Sequence, residues 1–139
     1  MDNKLIFFPV IAQIALTLYV FIALAVAKNK AVNAGEVNEE RRSLYDDAWP
    51  ISVQKINNNV RNQFEVPVLF YVLCVMLWAS NGVGVFSLTI ASLFVISRCF
   101  HVYVHTGSNF VPLRRKLFTF GCAMVIFLML LCLKSVVLA

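Results

Sequence analysis

Residues 57–65 read Asn-Asn-Asn-Val-Arg-Asn-Gln-Phe-Glu and run directly into the apolar residues 66–73, Val-Pro-Val-Leu-Phe-Tyr-Val-Leu. A run of polar side chains usually marks a loop, but this one contains no glycine and its proline comes only after the charged residues. A helix is therefore the favoured interpretation. In a helix Arg61 and Glu65 form an i,i+4 pair on one face, with two asparagines one turn apart beside them. These polar groups at the mouth of an apolar span indicate either a binding site or solvated first turns.

The composition of the whole chain is that of an integral membrane protein. Of its 139 residues, 60% are hydrophobic and 14% are charged, and the mean hydropathy is +0.79. Soluble domains are about 45–50% apolar and ~25% charged, since polar residues must cover their surface. We therefore predict a single membrane domain over residues 1–139. The net charge of +5 is interpreted as a signal of topology, and no nucleic-acid partner is expected.

Four stretches are long enough to cross a bilayer core of about 30 Å as helices, and they are apolar except for the first half of the second and the last turns of the third. They are residues 5–27, 52–78, 85–105 and 113–137. The first ends in small residues, as a signal peptide does, but it exceeds the roughly 7–15 apolar residues of a signal h-region. Pro67 is expected to kink the second helix. Residues 28–50 carry mixed charge, which is typical of a solvated loop. The predicted fold is all-α, a four-helix membrane bundle.

The distribution of basic residues predicts the orientation of the bundle. Of the twelve Lys and Arg residues, only Lys4 and Lys134 lie near the termini, and the other ten flank the first and third connections. Cytoplasmic segments carry an excess of Lys and Arg. We therefore expect both termini to face away from the cytoplasm, and we favour a bacterial inner membrane over the endoplasmic reticulum.

Polar groups from three helices are expected at this cytoplasmic end. Arg98, His101 and His105 fall at i, i+3 and i+7, on one helical face, and Arg114 opens the last helix. Charged groups at membrane depth cost about 2.5–3.5 kcal/mol each, so they normally face a bundle interior or a wet cavity. The alternative, snorkelling to the headgroups, suits Arg115 and Lys116.

The inventory of this expected site favours a small anionic or zwitterionic ligand. Arginine side chains suit carboxylates, and Glu65 would pair with Arg61 or receive an ammonium group. No serine or cysteine nucleophile with a base is evident. A metal site is not expected, because His101 and His105 lack a third ligand nearby, and the four cysteines are interpreted as packing residues.

Three short motifs resemble the MAPEG family, the membrane-associated proteins in eicosanoid and glutathione metabolism. The string Arg61-Asn62-Gln63-Phe64-Glu65-Val66-Pro67 resembles a region of the family's second helix. Arg98-Cys99-Phe100-His101 is similar to its R-x-x-H on helix three, and Pro112-Leu113-Arg114 to its P-x-R at the start of helix four. The order, spacing and four-helix layout agree over nearly the whole chain.

The resemblance implies a homotrimer in the lipid bilayer with glutathione, the co-substrate, bound between neighbouring subunits near the cytoplasmic face. By the family pattern Arg61, Asn62, Glu65 and His101 would hold the tripeptide, and Arg98 and His105 belong to the same candidate site. Arg114 would stabilise the glutathione thiolate, since a guanidinium lowers a thiol pKa that starts near ~8.5. The thiolate would then attack a small lipophilic electrophile or reduce a lipid hydroperoxide arriving from the bilayer.

Three function classes remain open from the sequence. The first is a membrane glutathione transferase or peroxidase. The second is a non-catalytic MAPEG-like protein that binds a lipid or anionic ligand and modulates a partner, because His105, Arg115 and Phe118 depart from the pattern of the family's better-known enzymes. The third, a small transporter or channel subunit, is disfavoured because the charges gather at one end of the bundle instead of threading the midplane.

Overall fold

The computed structural model describes residues 1–138, and all regular structure in that range is helical. Helix α1 spans Phe7–Asn33 and continues a 3₁₀ turn at Asn3–Ile6. The remaining helices are α2 (Ile51–Gln63), α3 (Val66–Ala79), α4 (Val85–Thr106) and α5 (Val111–Val137). Within residues 1–138, four helical segments are long and apolar enough to cross a membrane, α2 and α3 together forming the second. The predicted all-α, four-helix membrane fold is confirmed.

Helix α1 is longer than the predicted span, which ended at residue 27. It continues through Lys28 and Lys30 to Asn33, so the start of the expected loop is helical. The helix ends where Gly35 adopts a left-handed φ of 70°. Gly35 N–H donates to the Val32 carbonyl and Glu36 N–H to the Ala31 carbonyl, the paired bonds of a Schellman motif. Hydropathy located the apolar part of this helix, but its end is set by glycine.

The second span is interrupted, whereas the sequence predicted a continuous kinked helix. Helix α2 ends at Gln63 and α3 begins at Val66 with Pro67 in its first turn. The ring of a proline clashes with the carbonyl four residues earlier, which here belongs to Gln63, and the residue before a proline avoids the helical region. The break at Phe64 and Glu65 therefore falls where Pro67 requires it. The predicted i,i+4 pairing of Arg61 with Glu65 is wrong for the same reason.

The bundle core is packed mainly from α3, α4 and α5. Phe70 of α3 stacks on Phe94 of α4, with ring centroids 4.4 Å apart. Leu77 and Leu128 close the same core and are fully buried. Large apolar side chains cover the outside of the bundle, as is expected of a surface that faces lipid. Examples of these exposed residues are Phe8, Ile22, Leu69, Phe100 and Leu133.

The two ends of the bundle have different contents. At one end Asn3 donates to Asn81 at 2.7 Å, and the Ser135 hydroxyl donates to the Ser80 hydroxyl at 2.8 Å. Both chain ends therefore meet the connection between α3 and α4. At the opposite end Lys55 of α2 donates to the carbonyl of Gly107 at 2.9 Å. This second end holds the polar residues discussed next.

Candidate functional site

A polar cleft of about 420 Å³ opens between α2, α4 and α5. This volume lies within the range of roughly 300–1,000 Å³ that small-molecule sites occupy. Two arginines, two histidines and two asparagines dominate its wall, and none of the lining residues carries a carboxylate. The lining residues are Asn58, Asn62, His101, His105, Arg114, Arg115, Phe118 and Thr119.

Helix α4 contributes His101 and His105 to the wall of the cleft and buries Arg98 behind them. Arg98, His101 and His105 share one face, as their spacing predicted, and are only 1%, 2% and 4% exposed. The two imidazole rings meet edge to face with centroids 5.4 Å apart. An arginine and two histidines that are this deeply buried do not snorkel to the headgroups, so these side chains belong to an internal polar site.

Arg98 and His101 each keep a buried polar atom without a partner. One Arg98 Nη nitrogen lies 3.5 Å from the backbone carbonyl of Asn62, which is a long hydrogen bond. Its Nε, like Nδ1 of His101, has no hydrogen-bond partner within residues 1–138. No carboxylate in the described part of the chain forms an ion pair with Arg98. Buried polar groups are nearly always paired, so these two atoms are an exception that marks this part of α4 as unusually polar.

Arg114 is held at the cleft by the connection that precedes α5. One of its Nη nitrogens donates to Oδ1 of Asn109 at 2.7 Å. Asn109 has a left-handed φ of 53° and its N–H donates to the Val104 carbonyl at 2.7 Å. The guanidinium has five donors. The Asn109 bond fixes its orientation and leaves donors for a ligand in the cleft.

A chain of buried amides reaches His105 from the far side of the bundle. Nε2 of Gln13 in α1 donates to Oε1 of Gln63 at 3.0 Å, and Nε2 of Gln63 is 3.0 Å from Oδ1 of Asn59. Nδ2 of Asn59 then lies 3.1 Å from Nδ1 of His105. The Thr17 hydroxyl adds a 3.0 Å bond to Gln63. This network ties α1, α2 and α4 together behind the cleft.

Three predicted site residues do not line the cleft: Arg98, which is buried behind it, and Arg61 and Glu65. Arg61 is exposed and forms an ion pair with Asp46 in the first connection. Glu65 is exposed at the break between α2 and α3. Neither side chain meets His101 or Arg114 within one copy of the chain, because residues 61 and 65 lie on the outside of the second span.

Sequence reasoning missed several residues of the site. Asn58, Phe118 and Thr119 line the cleft, and so does Arg115, which was assigned to the headgroups. Asn59 and Gln63 had no assigned role. Gln13 was the one available signal, since a carboxamide within an otherwise apolar span needs an internal partner. Its partner Gln63 is 50 residues away and could not be identified from spacing.

Comparison with known proteins gives one match. The MAPEG family model matches residues 6–134, which is nearly the whole chain. No curated protein and no solved structure matches the chain.

Proposed function

The chain belongs to the MAPEG family, and from that premise we propose that it is a membrane-bound glutathione-dependent transferase or peroxidase acting on lipophilic electrophiles. Its substrates would be small apolar molecules that carry an electrophilic carbon or a hydroperoxide. The family includes glutathione transferases, peroxidases and non-catalytic members. The choice among them therefore depends on the chemistry of the cleft.

The observation that carries the proposal is the cationic wall of this cleft, which Arg114 and Arg115 line and behind which Arg98 is buried. A guanidinium that is only 1% exposed has no carboxylate partner in the described chain, and burial of an unpaired charge is costly. An anionic ligand in the cleft would meet Arg114, Arg115 and the two histidines directly, and the positive charge of Arg98 lies close behind them. Glutathione carries two carboxylates and several amide groups, so it matches a site made of arginine, imidazole and carboxamide side chains.

Arg114 is proposed as the catalytic residue. When bound, glutathione would supply a thiolate that displaces a leaving group from an electrophilic carbon, or that attacks a hydroperoxide oxygen to give an alcohol and a sulfenic acid, which a second glutathione converts to the disulfide and water. The role of Arg114 is to stabilise the negative charge on sulfur before the attack. Its bond to Asn109 preorganises the guanidinium, and a preorganised donor does not have to reorient during the reaction.

Asn62 and His101 are proposed to hold the tripeptide, with Arg98 behind them. His105 lines the same cleft and adds a further ring nitrogen. Phe118 gives one wall an apolar patch, against which a lipophilic co-substrate from the bilayer would pack. The wide apolar outer surface of α4 and α5 supports lateral entry of such a molecule.

A homotrimer would bring Arg61 and Glu65 to the ligand. Both are exposed in one copy of the chain, and a neighbouring subunit could offer them to the cleft formed by α2, α4 and α5. Cation-rich segments at the cleft end support a cytoplasmic location for that end, with both termini on the other side. A bacterial inner membrane is the proposed setting.

A direct assay tests the proposal. The protein purified in detergent is incubated with glutathione and a chlorodinitroaromatic acceptor, and thioether formation is followed. In the Arg114→Ala variant we expect kcat to fall roughly a hundredfold while glutathione binding is largely kept, because thiolate stabilisation matters more for chemistry than for docking. Lys116→Ala is the matched control. Lys116 is a basic residue two positions after Arg114 in α5, and it does not line the cleft.

The outcomes distinguish the two leading functions. Turnover that Arg114→Ala lowers about a hundredfold and Lys116→Ala preserves supports the enzyme. A glutathione-dependent thermal shift without turnover of either an aromatic acceptor or a lipid hydroperoxide supports a non-catalytic member of the family. Absence of both the shift and the turnover contradicts the glutathione proposal.

A further inference from the structure

The buried amide chain behind the cleft ends on one particular atom of the site. Gln13, Gln63 and Asn59 are 0%, 1% and 0% exposed. Their three successive hydrogen bonds, 3.0, 3.0 and 3.1 Å long, finish at Nδ1 of His105. None of the three amides lines the cleft. Their shared effect on the cleft therefore passes through His105.

The direction of the hydrogen bonds decides whether Nδ1 of His105 accepts or donates a hydrogen. Nδ2 of Asn62 lies 3.4 Å from the backbone carbonyl of Asn58 and 3.5 Å from Nδ1 of His105. A backbone carbonyl can only accept, so the Asn62 side-chain atom that faces it must be the nitrogen Nδ2. The same nitrogen is therefore also a donor towards Nδ1 of His105. Two carboxamide nitrogens thus face the same ring nitrogen.

The far end of the chain agrees with this direction. In the observed arrangement the buried atom of Gln13 without a partner is its carbonyl oxygen Oε1. If every amide in the chain were reversed, the unpaired buried group would be the NH₂ of Gln13 instead. Buried donors without a partner are rarer than buried carbonyl oxygens without one. The amides therefore donate in sequence from Gln13 towards His105.

We infer that this amide chain fixes the tautomer of His105, making Nδ1 an acceptor and placing the ring hydrogen on Nε2. Nε2 has no protein partner within residues 1–138, and it is not among the fully buried unpaired atoms. It therefore faces the cleft as a hydrogen-bond donor. Asn59, Gln63 and Gln13 are positioning residues that act through this imidazole.

The tautomer has a consequence for ligand choice, which rests on the proposed function. With Arg114, Arg115 and the Nε2–H of His105 in its wall, the cleft offers donors to a ligand oxygen. It offers no carboxylate to an ammonium group. His105 is therefore assigned to a carboxylate or carbonyl oxygen of the ligand, and the amine of a zwitterionic ligand must be met by another subunit or by water.

Nitrogen NMR tests the tautomer without any ligand. The chain has only two histidines, so protein labelled with ¹⁵N-histidine gives two ring systems, which His101→Asn assigns. In the wild-type protein we expect His105 to show an unprotonated Nδ1 and a protonated Nε2. A protonated Nδ1 with an unprotonated Nε2 would overturn the inference at once, whatever the variants do.

Variants test whether the amides set the tautomer. Asn59→Ala combined with Asn62→Ala removes both donors to Nδ1, and we expect the two His105 nitrogen shifts to move towards each other as the tautomers mix. Gln13→Leu, at the far end of the chain, should move them less in the same direction. Asn58→Ala is the matched control, because this neighbouring asparagine lines the cleft but its side chain is not part of the hydrogen-bonded amide chain. Unchanged shifts in the double variant contradict a role for the amides.

Binding of glutathione supplies a second, separable readout. We expect Asn59→Ala to weaken glutathione binding roughly tenfold, the size of one lost hydrogen bond to a charged group, although residue 59 does not line the cleft. If wild-type protein binds no glutathione, the proposed function fails while the NMR result still decides the tautomer. If glutathione binds equally well to Asn59→Ala and wild type, the assignment of His105 to the ligand is wrong.

Discussion

Asn109 shows how a single connecting residue prepares the chemistry of the cleft. Its backbone has a φ of 53°, a left-handed conformation that asparagine tolerates better than most residues. Its side chain accepts from Arg114 at 2.7 Å. The residue thus turns the chain between α4 and α5 and also orients the guanidinium of Arg114, which lies in the first turn of α5. Backbone conformation and side-chain function can be separated here by substitution.

We predict that Asn109→Gly lowers kcat about tenfold and changes stability little. Glycine accepts a positive φ without strain, so only the bond to Arg114 is lost and the guanidinium becomes mobile. Asn81→Gly is the control, because Asn81 also has a positive φ, of 55°, but lies at the other end of the bundle. The measurements are turnover with glutathione and the thermal midpoint in detergent. Equal turnover in the two variants would contradict the role of Asn109.

The C-terminal cap of α1 affects the stability of that helix and lies away from the cleft. Gly35 has a φ of 70°, and a Cβ added there would meet no heavy atom within 4 Å. Any effect of substitution is therefore conformational and not steric. We predict that Gly35→Ala destabilises the protein by about 1 kcal/mol, the cost of a left-handed residue with a Cβ.

The same position provides its own control. Asparagine adopts the left-handed region more readily than alanine, so Gly35→Asn should retain most of the stability. Unfolding of the two variants in mixed micelles, compared at the same detergent ratio, measures the difference. If Gly35→Ala unfolds at the same point as the wild-type protein, the left-handed cap contributes nothing measurable to the stability of α1.

Sequence patterns predicted the elements better than their interruptions. Hydropathy located four spans, and the i, i+3, i+7 spacing placed Arg98, His101 and His105 together. Pro67 predicts a disturbed helix near Gln63, but its sequence position does not determine whether the chain bends there or breaks. The pairing of Gln13 with Gln63 depends on how α1 packs against α2. Such a contact follows from tertiary packing, which local periodicity does not contain.

At the scale of the whole molecule, the predicted ligand residues do not all meet in a single copy of the chain. Arg61 and Glu65 are exposed, whereas Arg114 lies in the cleft. The proposed trimer places these groups on different chains around one ligand. In that case two impaired variants should complement each other, because each can supply the part that the other lacks.

We predict that Glu65→Ala and Arg114→Ala, each strongly impaired alone, recover activity when co-expressed. In randomly mixed trimers about a quarter of the shared sites combine an intact Glu65 with an intact Arg114, so roughly a quarter of wild-type activity should return. Turnover of purified mixed protein carrying two different affinity tags measures this. If each site is built within one chain, the mixture stays impaired, since every copy lacks one residue.

The contacts at the opposite end make a stricter version of that experiment possible. Asn3 is bonded to Asn81 and Ser135 to Ser80, so the first and last helices finish beside the same connection. A flexible linker could therefore run from the end of one copy to the beginning of the next along one membrane surface, with no additional spanning segment. Tandem genes built in this way would fix the order of wild-type and variant copies in each assembly, and the activity of every arrangement could be read separately.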